Sequence, residues 1–258
     1  MTRAARITKQ LISLIAFLVI LGGLSFVGWQ SFHEPVLTPV PTPGPQAEAI
    51  NVLSARIINV TGNDYDFVAK INNPNAKYGS GNADYTIRFF SLTNNVVAEK
   101  KGSFYILPGQ TRYIVVSPIH LPEKAERAEI LITSVEWQEL DLLAQNIYLA
   151  ARNLFYFELK MSGLFARGEG LINNTSDFDF NQVDVAILLF DEKDSIIAVN
   201  RTEIRTFLAN TTRGFEVAWF SPFPGKVVRI EAEALTNVFE NQNFIQRYQE
   251  LERFQQYY

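Results

Sequence analysis

From Leu11 to Trp29 no position carries a charge, and Arg3, Arg6 and Lys9 stand just before this run. A helix of that length, at about 1.5 Å per residue, crosses close to 30 Å of hydrocarbon. The glycines Gly22 and Gly23 are compatible with a membrane helix, and Trp29 at its far end suits the interface. The apolar face of the anchor is represented by Leu11, Ile15, Phe17, Leu21, Phe26 and Trp29. The basic residues predict a cytoplasmic N-terminus, with everything after the span on the other side. A cleaved signal peptide is the competing reading, but it has a shorter apolar core and a small-residue cleavage pattern that does not follow here. The sequence thus divides into a basic tip (1–10), a single transmembrane helix (11–30) and a spacer (31–49). Five prolines between Pro35 and Pro45 make that spacer extended and stiff.

Beyond residue 50 the pattern changes to alternation with a period of two, the mark of strands with one face on a core. Tyr85–Phe90 and Val183–Phe190 both read this way. Thr93-Asn94-Asn95 and Glu192-Lys193-Asp194 break the pattern before Val96-Val97 and Ile196-Ile197, which predicts two hairpins. Leu107-Pro108-Gly109-Gln110 is a further turn, with Leu208-Ala209-Asn210-Thr211 in the matching place.

These correspondences form a repeat with a period near 100. Ile71-Asn72-Asn73 aligns with Ile172-Asn173-Asn174, Thr111-Arg112 with Thr212-Arg213, and Ser117-Pro118 with Ser221-Pro222. Upstream, Leu53-Ser54-Ala55-Arg56 aligns with Leu149-Ala150-Ala151-Arg152. Short strands, frequent turns and about 100 residues per unit predict a mainly β chain with two tandem immunoglobulin-like β-sandwiches, at 50–139 and 140–240.

The tail, 241–258, has neither Gly nor Pro. Phe244, Leu251 and Tyr258 recur every seven residues, with Tyr248 and Phe254 beside them, so an amphipathic helix is expected. Its apolar stripe has to be buried on its own sandwich, on a sister helix or on another protein.

Composition narrows the chemistry. A net charge of −4 leaves no basic excess for binding nucleic acid. The absence of cysteine excludes disulfides, thiol nucleophiles and Cys-ligated metals, and only His33 and His120 could supply imidazole. No phosphate loop, nucleophile elbow or zinc-protease signature occurs. Asp177, Asp179 and Asp184, near Asn173 and Asn174, offer oxygen ligands of the type calcium takes. The phenylalanines alternating with them favour a polar hairpin edge instead. Five sequons, at Asn59, Asn173, Asn174, Asn200 and Asn210, would be usable in a host that glycosylates exported proteins. No catalytic, metal-binding or cofactor-binding residues are assigned, and no cofactor is expected.

The segment Ile187-Leu188-Leu189-Phe190-Asp191, with Gly170-Leu171-Ile172-Asn173-Asn174 before it and Ser221-Pro222 after it, resembles the FxLYD domain of bacterial envelope proteins. The first copy lacks the aspartate, having Ser91 after Phe90. The same pattern is similar to the WHy domain of late-embryogenesis-abundant proteins. The resemblance lies in strand positions and turns. It implies a non-enzymatic, envelope-exposed module and carries no catalytic residues. The expected protein is therefore a single-pass, anchored interaction or structural module, of the kind that serves as a subunit of a larger membrane assembly. Its expected partners are the lipid bilayer and either other envelope proteins or itself, through the C-terminal helix. A WHy-like stress-protection role is the alternative.

Overall fold

A computed structural model describes Phe17 and residues 47–140, 149–161, 163–242 and 244–245. The chain divides after Gln46. Of the six anchor residues, Leu11, Ile15, Leu21, Phe26 and Trp29 lie outside the described residues, as does the proline spacer. Among the described residues no helix is long and apolar enough to cross a membrane.

Among the described residues the body is built from twelve strands. The first six are β1 (Asn51–Thr61), β2 (Asp64–Asn72), β3 (Tyr78–Phe90), β4 (Val96–Ile106), β5 (Thr111–His120) and β6 (Arg127–Glu139). The second six are β7 (Leu149–Met161), β8 (Leu164–Asn174), β9 (Phe180–Phe190), β10 (Ile196–Phe207), β11 (Thr212–Trp219) and β12 (Arg229–Leu235). They make four antiparallel three-stranded sheets: β1-β2-β5, β4-β3-β6, β7-β8-β11 and β10-β9-β12. The second six strands repeat the pairing of the first six in the same order.

Each half has its own core. In the first, Phe67, Ile71, Ile87, Phe89 and Ile106 are fully buried together, with Phe67 and Phe89 meeting edge to face at 6.4 Å. In the second, Ile172, Phe180, Val183, Ile187 and Phe207 take that place. The two sheets of each half thus close face to face over a side-chain core.

The same devices hold both copies together. Asn73 and Asn174 are completely buried. Asn73 Nδ2 donates to the carbonyls of Tyr78 (2.6 Å) and Leu107 (2.9 Å), and Asn174 Nδ2 donates to those of Phe178 (2.8 Å) and Leu208 (3.0 Å). Their carbonyl oxygens accept from the N–H of Asn75 and of Ser176. A buried amide that satisfies backbone groups on both sides of a loop is costly to replace. The hairpin aspartate Asp191 accepts the N–H groups of Lys193 and Ser195, both at 2.9 Å, while Ser91 does part of this in the first copy by accepting from Asn95. Asn94 and Asp194 hold matching left-handed turn positions, at φ 65° and 60°. Across each hairpin an arginine lies over a phenylalanine, Arg127 over Phe90 at 3.8 Å and Arg229 over Phe190 at 3.7 Å. Arg127 also bonds Asn94 and Glu129, and Arg229 bonds Asp194 and Glu231.

Three details differ from expectation. Ser117-Pro118 lies inside β5, whereas Ser221-Pro222 follows β11, so these dipeptides are not equivalent. Arg56 pairs with Val68 but Arg152 pairs with Leu171, which displaces β7 by three residues from the alignment of Leu53–Arg56 with Leu149–Arg152. β9 does not alternate to its end: Leu188, Leu189 and Phe190 are all buried, because both faces of this strand are covered.

Candidate functional site: the seam and cleft between the two repeats

A second apolar cluster joins the halves. Ile58, Val68 and Val115, on the outward face of sheet β1-β2-β5, pack with Leu188, Phe190 and Val199 from the outward face of sheet β10-β9-β12. Val68 and Val115 are cross-strand neighbours, and so are Leu188 and Val199. An apolar seam of this kind resists hinge motion between domains, which is otherwise the default.

Polar contacts flank the seam. Glu233 on β12 accepts the backbone N–H of Tyr113 at 2.9 Å, which satisfies part of the free edge of β5. Burial pushes the Glu233 carboxyl above its ordinary value, and that hydrogen bond together with Arg112 and Lys70 opposes the shift. Asn237 Nδ2 donates to the Gly81 carbonyl at 3.0 Å. Gly79 and Gly81 have no room for a side chain: a Cβ on Gly79 would meet the Ile106 carbonyl oxygen at 2.7 Å and the Phe239 ring at 2.8 Å, and one on Gly81 would meet the Phe239 Cβ at 2.7 Å.

Beside these contacts opens a cleft of about 900 Å3, lined from both halves. Arg112, nine per cent exposed, stacks over the Tyr105 ring at 4.4 Å and donates through Nη1 to the Tyr105 carbonyl. Its Nε has no hydrogen-bond partner among the described residues, and neither does Asn237 Oδ1. The Tyr105 hydroxyl donates to Asp184 across the cleft at 2.9 Å, and Gln182 supports Asp184 at 2.8 Å. Burial holds both the Tyr105 and Tyr85 hydroxyls above the ordinary tyrosine range, so both stay protonated donors. Tyr85 lies across Gly102, where a Cβ would sit 2.4 Å from its oxygen.

The predicted residues are distributed differently. Phe244 is buried against Leu140 and Val238 and meets Phe178 edge to face at 5.3 Å. Tyr248, Leu251, Phe254 and Tyr258 lie outside the described residues. A 310 turn at Val238–Glu240 precedes this segment. The aspartates of the calcium reading are not brought together as one site. Asp179 accepts the Ala209 N–H at 2.7 Å, and Asp184 faces Tyr105. His120 is exposed and sits 2.7 Å from Asp64. Among the sequons, Asn174 is fully buried and Asn200 donates to the Ala218 carbonyl at 2.8 Å.

Of the cleft's polar residues the sequence singled out Asp184, as an oxygen ligand, but not Tyr85, Tyr105, Arg201 or Asn237. The signal that could have found them is a comparison of the two copies: Tyr85 and Tyr113 stand where the second copy has Val185 and Gly214.

No family model and no curated protein matches the chain, so the FxLYD and WHy resemblances rest on strand positions and turns alone. Among solved structures, a red sea bream transglutaminase is similar over 74% of this chain and 30% of its own length, at 11% identity and TM-score 0.25. The calcium-binding domain CBD12 of CALX1.1 is similar over 65% of this chain and 72% of its own, at 15% identity and TM-score 0.19. The chain therefore spans under a third of the transglutaminase.

Proposed function

We propose that this is a non-enzymatic, single-pass envelope protein whose two β-sandwiches act as one rigid interaction module, held off the membrane by the proline spacer. The observation that carries this reading is the apolar seam of Val68, Val115, Leu188 and Val199, which couples the repeats instead of leaving them as beads on a linker. A coupled pair presents loops and faces in a set geometry, which favours recognition of a partner by pre-organisation. The uncharged run after Arg3, Arg6 and Lys9 supports the anchor.

The test is crosslinking and mass spectrometry on native membranes, preceded by a carbonate wash. The expected result is retention of the full-length chain in the washed membrane and crosslinks from the described body to a discrete set of envelope proteins. Release of the full-length chain by carbonate would overturn the anchor, and crosslinks confined to the chain itself would overturn the partner reading.

A further inference from the structure

The apolar seam between the halves takes in a buried carboxyl. On β2, Tyr65 and Phe67 point into the core of the first half, so Asp66 between them points outward with Val68. Ile58, its partner on β1, and Val68, two residues on, both belong to the seam that packs against Leu188, Phe190 and Val199. Asp66 thus lies inside the footprint of the second half and is only 5% exposed. In the second copy the same face is left uncovered, and the equivalent position holds Arg167, placed between Glu169 and Glu216.

Among the described residues no charge compensates Asp66. On its own strand, Asp64 is engaged by His120 at 2.7 Å, and Lys70 lies over the Tyr113 ring. On β1, Arg56 stands opposite Val68 and is exposed. On β5, Ser117 offers a hydroxyl, which donates to the carboxylate. From the second half, Arg201 stands two residues beyond Val199, opposite Ala186, and Arg229 is held by Asp194 and Glu231. Glu233, the other carboxyl at this interface, differs, because Arg112 and Lys70 both favour its ionised form. Burial pushes the Asp66 carboxyl up to about 6, and the Ser117 hydrogen bond is the opposing influence. A buried charge without a counter-charge is costly, and hydrating it here requires the two faces to part.

We propose that Asp66 makes the seam a pH-dependent clasp. The neutral carboxyl lets the two faces close, and its ionisation lets them part, so that the halves hinge. This rests on the reading of the pair as a coupled module and adds the condition under which the coupling holds. With the faces closed, the carboxyl keeps its proton up to about pH 6; parted and hydrated, it loses it near the ordinary value of 3.8. The advantage of closing is therefore fully present below about pH 4 and is lost as the pH rises through about 6, a change of up to about a hundredfold in the ratio of closed to parted forms.

The test is pulsed electron–electron distance measurement on the full chain in lipid nanodiscs, at pH 4.5 and pH 8, with nitroxide labels at Lys101→Cys and Lys226→Cys, one in each half. Both lysines are exposed and the chain has no cysteine of its own, so the labels go only there. One narrow distance is expected at pH 4.5, and an added longer and broader population at pH 8. Asp66→Asn keeps the shape and removes the charge, so it should give the narrow distance at both, and its melting curve checks that it folds. A narrow distance at both pH values in the chain with Asp66 would overturn the clasp and leave the coupled module standing. A broad distribution at both would overturn the coupled module itself. Broadening at pH 8 that persists in Asp66→Asn would remove Asp66 from the role.

Discussion

Two pairs of positions occupy the same place in the two repeats and differ in kind. Val68 pairs with Val115 in the first copy, and Glu169 pairs with Glu216 at the equivalent positions of the second. On the other sheet, Arg88 pairs with Glu99 in the first copy, where the second has Leu188 with Val199. The apolar pairs meet each other in the seam. The charged pairs are left on the two remaining faces: Arg88 binds Glu99 at 2.7 Å, and Arg167 lies between Glu169 (3.7 Å) and Glu216 (3.6 Å). One backbone design thus serves as glue where the copies touch and as a solvated surface where a third copy would have to dock. A head-to-tail contact between repeats propagates unless its ends are blocked, and these charges block both ends of the pair. The difference teaches that the outward faces, not the cores, distinguish the two copies.

The comparison breaks most sharply at the seam. Leu188→Asp should bury an unpaired charge and cost about 3 kcal/mol or more, and chemical denaturation should then show two transitions in place of one. The equivalent Arg88→Asp loses only an exposed ion pair and should stay within about 1 kcal/mol. A single transition for Leu188→Asp would show that the halves are not coupled there. Making both free faces apolar (Arg88→Leu, Glu99→Val, Glu169→Val and Glu216→Val together) should produce chains that lengthen with concentration in sedimentation velocity. Changing either face alone should leave the oligomeric state as it is.

The shared devices should respond equally. Asn73→Ala and Asn174→Ala each remove a buried amide that satisfies two carbonyls, so each should cost about 2–4 kcal/mol in urea denaturation. A large inequality between them would show that the loops they hold are not equivalent in energy.

Titration should separate the copies more gently. Burial raises the Asp66 carboxyl from 3.8 to about 6, with a hydrogen bond from Ser117 opposing this. The folded state holds its proton at higher pH than the unfolded state. This contribution is therefore fully present below about pH 4 and is lost as the pH rises through about 6, amounting to at most about 3 kcal/mol. Glu233 shifts in the same direction. Asp66→Asn should stabilise the protein at pH 7.5 and flatten its stability profile between pH 4 and 7. The equivalent position of the second copy holds Arg167, a guanidinium in place of a carboxyl. The smallest effect is expected at the hairpin arginines, where Arg127→Ala and Arg229→Ala should each lower stability by about 1 kcal/mol through loss of the ring contact.

Much of this was legible in residue order. The hairpins, the turn at Leu107–Gln110 and the pairing of Asn73 with Asn174 follow from local signals, because turns are decided by a few adjacent residues. The functional surfaces were less legible. Tyr85, Arg112, Arg201 and Asn237 come from distant strands and the segment after β12, and no spacing links them. Phe244 kept its apolar role but found its partners in Leu140 and Val238, since periodicity reports that a face is to be covered and not by what.

The sequence by itself determined the strands, their turns, the duplication and the two cores. Alternation with period two sorts side chains onto opposite faces of a strand, and that sorting is local. It also held an unread sign of the seam, since Ala186-Ile187-Leu188-Leu189-Phe190 is apolar on both faces of its strand. Only the tertiary structure decided which outward face meets which, and where the cleft opens beside them. Those outcomes depend on two surfaces about a hundred residues apart fitting each other, and complementarity between surfaces is not encoded in the spacing along either one.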